Sequence, residues 1–425
     1  MVIGYAGLSH LGLVSAAAAA AQGFETIGFD PDASLVDRIR AGDIPIVEPG
    51  FAELLAHGDG RLTLTASASE LARCDVVFIA IDVPTDDAGR SDTTAVEDLL
   101  SRIPPVDHEL SVVILSQVEP GFTRAHRQTL EMATHARLFY QVETLIFGRA
   151  VERAIHPERF MVGLAQSGDS MPEPWRRFLE SFDCPILRMR YESAELAKIA
   201  INFFLVSSIS TTNLLADVCE RIGADWGEIA PALRLDARIG PKAYLEPGLG
   251  VGGGNLGRDL ATVQRLAGQR GSDARLIDAW QANSTYRRDW ALRVLHREVL
   301  SESADVRLAL WGVAYKQDTG STKNSPALAL ARGVAGTPVR AYDPAARVPE
   351  GFPHVEQVDS ALVACENADA LLIMTPWSEF RRTPAAAVAA ALRGCVVIDP
   401  YRVLDRDDAQ RAGLRVHRLG APEAA

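Results

Sequence analysis

Apolar residues follow two rhythms along this chain. In the first 120 residues short apolar runs recur: VIGYA at 2–6, ETIGF at 25–29, DVVFIAI at 75–81 and LSVVILS at 110–116. Between them lie stretches with helical character, such as LVSAAAAAAQ at 13–22. Short buried strands alternating with helices predict a parallel sheet covered on both faces. From Ser193 the period changes. AELAKIAINFFLVSSISTTNLLADVCERIG repeats its apolar residues at three and four and has no Pro or Gly before Gly223. That pattern predicts one long helix ending near Ile222. More helix is expected in DLATVQRLAGQR and around Ala279–Val299. Near Val306 the first rhythm restarts with VRLALWGVAYK, SPALALARGV, VRAYDP, ADALLIMT and GCVVIDPYR.

The expected fold class is therefore α/β, with two Rossmann-like parallel-sheet domains joined by a central helical domain. The expected boundaries are 1–190, 191–300 and 301–425, with fraying from about Ala421. A chain of 425 residues is long enough for two or three such domains. Its net charge of -12 argues against a nucleic-acid partner, because phosphate backbones are bound by basic faces. Cys74, Cys184, Cys219, Cys365 and Cys395 are scattered and odd in number, which favours reduced thiols over disulfides or a metal site. No Lys or Arg precedes Arg38, so the early apolar stretch lacks the charged region of a signal peptide. No unbroken run of eighteen apolar residues occurs, and no membrane partner is expected. These readings together predict a cytoplasmic protein.

GLSHLG, from Gly7 to Gly12, has the spacing of a dinucleotide-binding turn, with a strand before it and a helix after it. Gly7 permits the tight turn, and Ser9 stands where a second glycine is usual. His10 and Leu11 open the helix whose N-terminus receives a pyrophosphate. Asp30, about twenty residues on, suits ribose hydroxyls and would repel a 2′-phosphate, which favours NAD over NADP. A second glycine-rich stretch, GLGVGGGNLGRD at 248–259, contains Gly250, Gly253, Asn255 and Asp259. It lets a backbone approach a ligand closely, yet it contains no nucleophile. Lys198 and Asn202 lie four apart, on one face of the long helix, as polar positions in an apolar pattern.

The order of short motifs from Met1 to about Arg402 resembles the UDP-glucose/GDP-mannose dehydrogenase family. PIVEPG (45–50) resembles P-I-x-E-P-G, and IDVPTDDAGRSD (81–92), with Pro84 and Thr85, resembles V-x-T-P-x-x-x-x-G-x-x-D. SQVEPGFT (116–123), with Ser116 and Gln117, is similar to S-T-V-P-P-G-T, and VETLIFGRA (142–150) places Glu143 in the segment centred on P-E-F-L. AELAKIAINFF resembles E-L-x-K-x-x-x-N, DARIG resembles D-x-R-I-G, and GVAYK with STKNSP resembles G-x-x-F-K followed by D-x-R-x-S-P. YDP, TPWSEF and VIDPYR complete the series.

The resemblance implies an NAD-dependent oxidoreductase that acts on a nucleotide sugar, a UDP-sugar first, and pairs into a homodimer through the long helix. It implies cofactor contacts from Pro84, Thr85, Ser116, Gln117 and Lys323. For the nucleotide sugar it implies contacts from Arg238, Tyr244, Leu245, Gly250, Gly253 and Lys316. It implies alkoxide stabilisation by Lys198 and Asn202 and proton handling by Glu143 or Asp259. The family oxidises its alcohol twice through a cysteine in G-F-G-G-x-C-F-x-K-D. Here the aligned stretch reads GVGGGNLGRD, with Asn255 at the nucleophile's place and Arg258 at that of the lysine. The hydroxyl of S-T-V becomes Gln117. An amide forms no thiohemiacetal, so the expectation is one two-electron oxidation, or oxidation followed by re-reduction. The alternatives are a non-catalytic binder of NAD and nucleotide sugar, or an acid-forming dehydrogenase that uses no thioester.

Overall fold

The computed structural model describes residues 1–46, 48–58, 60–86, 89–302 and 305–422. Val47 of the PIVEPG segment, Asp87 and Ala88 of the 81–92 loop, and the last three residues of the tail lie outside the described residues. The chain divides into two compact units, Met1–Ile201 and Asn202–Ala425.

The first unit is built on β1 (Val2–Ala6), β2 (Glu25–Phe29), β3 (Leu62–Thr65), β4 (Val76–Ile79), β5 (Ser111–Ile114), β6 (Arg137–Gln141), β7 (Phe160–Leu164) and β8 (Ile186–Arg190). Their order across the sheet is β3-β2-β1-β4-β5-β6-β7-β8. Every residue of β4 and β5 is buried, as expected of strands covered on both faces. The sheet is parallel from β3 to β6, with Ile3 opposite both Thr26 and Val76. β7 then runs antiparallel to β6, pairing Tyr140 with Gly163. An all-parallel sheet was expected; the chain instead turns back after the short helix Ala150–Ile155, and β8 follows β7.

The second unit carries β9 (Leu308–Trp311), β10 (Val339–Tyr342), β11 (Val355–Gln357), β12 (Ala370–Ile373), β13 (Val396–Ile398) and β14 (Arg415–His417), all parallel, in the order β11-β10-β9-β12-β13-β14. In both sheets the strand order reverses beside the first strand of the unit, between β1 and β4 and between β9 and β12. A crevice opens at the carboxyl ends of the strands at such a point.

The long helix runs Tyr191–Ile222, thirty-two residues. Its first turns belong to the first unit, where buried Glu195 accepts N–H bonds from Gly121 at 2.6 Å and Thr123 at 2.9 Å. Eighteen consecutive residues of this helix have a mean hydropathy of 1.5, so it meets the length and composition of a membrane span although it contains no unbroken apolar run. Phe204 is 80 % and Ile222 71 % exposed on it.

Within the second unit the helix is tied to the helix Arg275–Arg288 by a buried charge cluster. Arg287, with no exposed surface, donates to Asp217 at 2.8 Å and to Glu220 at 3.0 Å. Glu220 also accepts from the Trp290 indole at 2.8 Å and from the Gly420 N–H at 2.9 Å. Removing the buried cation would leave two largely shielded carboxylates, 15% and 14% exposed, short of a partner. Arg287→Leu should therefore cost about 3–5 kcal/mol, read as a lower urea midpoint. A loss below about 1 kcal/mol would show that the carboxylates find other donors.

Candidate functional site

The turn after β1 is fixed by two glycines and one acid. Gly7 has φ +99°, and a Cβ there would sit 3.0 Å from Ile81. At Gly12 a Cβ would fall 1.9 Å from the Gly7 carbonyl oxygen, so only glycine lets the helix His10–Ala21 pack against the turn. Asp30, buried at the end of β2, accepts from the Leu8 N–H at 2.8 Å and from the Asp32 N–H at 3.0 Å. Both carboxylate oxygens thus hold backbone, and each keeps one lone pair for a further donor. These features fit a dinucleotide: a glycine cradle, a helix N-terminus and a fixed carboxylate.

The remaining expected cofactor residues have their own ties. The Ser9 hydroxyl accepts from the Asp82 N–H at 2.9 Å. The His10 ring lies 3.0 Å from buried Glu48 and 4.5 Å from the Phe147 ring centre. Glu48 in turn accepts from the N–H groups of Gly148 and Ala150. The Pro84 carbonyl accepts from Asp92, and Thr85 bridges Ser91, closing the loop after β4. Ser116 is fully buried and its hydroxyl is committed to Ile81, donating to the carbonyl at 2.7 Å and accepting from the N–H at 2.9 Å. It latches β4 to β5. Gln117 follows it, half-buried. Glu143 pairs with Lys198 at 3.3 Å, both largely shielded, while its other oxygen accepts from the Leu145 N–H.

In the second unit Asn255 is the first residue of the helix Asn255–Arg270 and is exposed. One turn later Asp259 is 1 % exposed, and its carboxylate takes the Asn202 amide on one oxygen and Arg258 Nε at 3.2 Å on the other. An exposed amide thus stands one turn ahead of a buried carboxylate already held by two donors.

The glycines before it make room for packing within the protein. A Cβ at Gly250 would lie 2.4 Å from the Ser284 carbonyl, and one at Gly253 2.8 Å from the Tyr315 ring. The Gly253 carbonyl accepts from the Asn324 amide at 2.7 Å, and the Lys323 side chain lies against Gly254. Lys323 was expected at the cofactor; within its own unit it lines the glycine loop. A cleft of about 340 Å³ flanks that loop, lined by Val251, Gly257, Trp280, Ser284, Arg288 and Asn324 among others.

Lys316 lies 5.8 Å from the Tyr315 ring centre. The Tyr244 carbonyl accepts from Ser208 and Thr212 while its ring is exposed, and the carbonyl of buried Leu245 accepts from the Trp226 indole at 2.7 Å. Arg238 is largely exposed and forked onto Asp236.

Sequence reasoning missed Asp82. Its carboxylate accepts from the Leu11 N–H at 3.3 Å, at the helix N-terminus where a pyrophosphate would sit. The available signal was an acid directly after an apolar strand at the point where the sheet order reverses. An anion there competes with a phosphate for the same partial positive charge. Asp82→Asn should tighten NAD binding by up to about five-fold at low salt, the effect of about 1 kcal/mol for a charge at a helix N-terminus. Unchanged or weaker NAD binding by calorimetry would overturn this account of Asp82.

Family comparisons agree with this geometry along most of the chain. Residues 1–177 match the NAD binding domain of the UDP-glucose/GDP-mannose dehydrogenase family, 192–285 its central domain and 309–406 its UDP binding domain. The UDP-glucose 6-dehydrogenase AglM of Haloferax volcanii is 32% identical over 428 residues, covering 96% of this chain and 98% of that protein. The UDP-glucose 6-dehydrogenase TuaD of Bacillus subtilis is 30% identical over 431 residues, covering 98% and 92%. The structure of a UDP-glucose dehydrogenase from Pyrobaculum islandicum superposes with a TM-score of 0.82 at 28% identity, covering 100% of this chain and 97% of that one. With an NAD-binding domain, a UDP-binding domain and the central segment between them all matched, the chain belongs to the UDP-glucose/GDP-mannose dehydrogenase family of NAD-dependent oxidoreductases that act on CH–OH groups.

Proposed function

We propose that this protein oxidises an alcohol of a UDP-sugar once, by two electrons, and stops short of the acid. The observation that carries the reading is the start of the helix Asn255–Arg270, where exposed Asn255 precedes buried Asp259 with its Asn202 and Arg258 donors. Bound NAD supplies the hydride acceptor. Lys198 Nζ and Asn202 Nδ2 lie four residues apart on one helix and are suited to hold the oxygen on which charge develops. Glu143, already paired with Lys198, or Asp259 accepts the alcohol proton.

Continuing to an acid requires the aldehyde to be held as an adduct that can give up a second hydride. A carboxamide adds to no carbonyl near neutral pH. The cysteines offer no substitute. Burial pushes the thiols of Cys74 and Cys365 up to about 12 and raises those of Cys184 and Cys219, which disfavours the thiolate. Cys395 is exposed beside β13, far along the sequence from the glycine loop. Gln117 supports the same reading, since it stands where the family has a hydroxyl.

The exposed apolar positions of the long helix support a homodimer paired through residues 191–300, read as a domain between the two sheet domains. Leu196, Phe204, Leu214, Leu215, Val218 and Ile222 would leave a large apolar face in water if the chain stayed single. Light scattering at micromolar concentration should give twice the chain mass of 45.9 kDa. A mass of one chain would count against the pairing.

The stopping point is tested by incubation with NAD and a panel of UDP-sugars. At most one reduced cofactor should form per sugar, with a carbonyl product trapped by hydroxylamine and no covalent sugar on the protein. Two reduced cofactors together with a uronic acid would overturn the proposal. Asn255→Cys combined with Gln117→Thr should move the stoichiometry towards two.

A further inference from the structure

A cavity of about 710 Å³ in the second unit shares no lining residue with the cleft beside the glycine loop. It is large enough for a ligand of nucleotide size. Seven arginines and three carboxylates line it, in a chain whose net charge is -12.

The carboxylates are all engaged. Asp217 takes Arg221 and Arg287, Glu220 takes Arg287, Trp290 and the Gly420 N–H, and Asp225 takes Arg402 at 2.9 Å and the Gly227 N–H. Three of the guanidinium groups have no acid at ion-pair distance among the described residues: Arg293, Arg406 and Arg418. Arg293 lies 4.0 Å over the Tyr286 ring and donates through Nη1 to the Tyr286 carbonyl, which leaves its buried Nη2 without an acceptor. Arg418 donates to the Leu404 carbonyl and leaves its buried Nε without one. The Arg406 guanidinium has no hydrogen bond to any described residue.

Like charges crowd Arg418. Burial lowers the pKa of Arg418, Asp399 and Asp405 raise it, and the charges of Arg402 and Arg406 lower it further. Arg402 is held at φ +54°, a conformation that a residue with a Cβ rarely adopts, with its guanidinium packed on Gly227. Unpaired buried donors and like-charge crowding are costs that a bound anion would offset.

We infer that this cavity is a second ligand site, separate from the NAD and UDP-sugar sites, and takes a small anion bearing two or more adjacent phosphoryl groups. Adjacent phosphoryl groups supply several acceptor oxygens, matching three guanidinium groups within one concavity. Inorganic polyphosphate and a nucleoside polyphosphate share that chemistry.

Calorimetric titration of the full-length protein with inorganic tripolyphosphate, and separately with ATP, tests the site in the presence of saturating UDP and NAD. One binding event per chain is expected, weakened about ten-fold or more by Arg406→Gln and again by Arg293→Gln. ATP binding at least ten-fold tighter than tripolyphosphate would assign a nucleoside polyphosphate, and equal binding would assign the phosphoryl chain alone. Absence of binding by both probes overturns the proposal, as does binding that saturating UDP abolishes. Arg406 is exposed and its guanidinium is bonded to no described residue, so Arg406→Gln should keep the melting temperature of the wild type. Binding unchanged by Arg406→Gln in a protein that melts normally also overturns the proposal.

Discussion

Both sheets depend on the same local interaction: a carboxylate after the second strand catches the backbone N–H that follows the first. In the first unit Asp30 holds Leu8 at 2.8 Å, and in the second Asp343 holds Val313 at 2.7 Å and Ala314 at 2.9 Å. A glycine at positive φ precedes each N–H, Gly7 and Gly312, since the chain must turn there while a neighbouring strand end passes close. At Gly312 a Cβ would lie 2.4 Å from Thr375. The clamp holds the first strand's exit open at the crevice where the sheet order reverses. The two copies are not equivalent. Asp343 also takes the N–H groups of Ala345 and Ala346 and the Trp377 indole, so its acceptor capacity goes to the fold. Asp30 holds two N–H groups and keeps capacity for a ribose.

The chemistry is organised by what surrounds each charge. Glu143 faces Lys198, and Asp259 faces its neighbour Arg258 and, from the long helix, the Asn202 amide, so each carboxylate has a polar partner in a shielded place. Burial raises the pKa of the Cys74 and Cys365 thiols, which disfavours their thiolates. Hydride transfer from an alcohol needs a held oxygen and a proton acceptor, the roles proposed for Lys198, Asn202, Glu143 and Asp259. Acyl transfer needs a covalent handle as well.

Several residues within the motifs also latch the fold together. The Ser116 hydroxyl is spent on Ile81, Glu195 anchors the long helix on the 121–123 turn, and Glu48 joins His10 to the turn at Gly148. The glycines at 250 and 253 make room for Ser284 and Tyr315. These motif residues therefore have a part in the fold as well.

Local pattern alone determined much of this protein. Period-two and buried apolar runs placed β1, β2, β4, β5 and the strands after Val306, and an uninterrupted helical period placed Tyr191–Ile222 to within two residues. These features are legible because strand and helix periods, glycine at a tight turn and an acid ending a strand are properties of neighbouring residues. The linear order of motifs likewise carried the family. Tertiary structure decided what depends on residues distant in sequence. The antiparallel return of β7 depends on which edge the chain rejoins, and the ring filling the space at Gly253 comes from Tyr315. Asp82 reaches the Leu11 N–H because β4 lies beside β1, and the arginine-lined cavity gathers residues between Asp217 and Pro422. No periodicity records such meetings, because burial, like-charge crowding and steric fit arise only once the strands and helices have taken their neighbours.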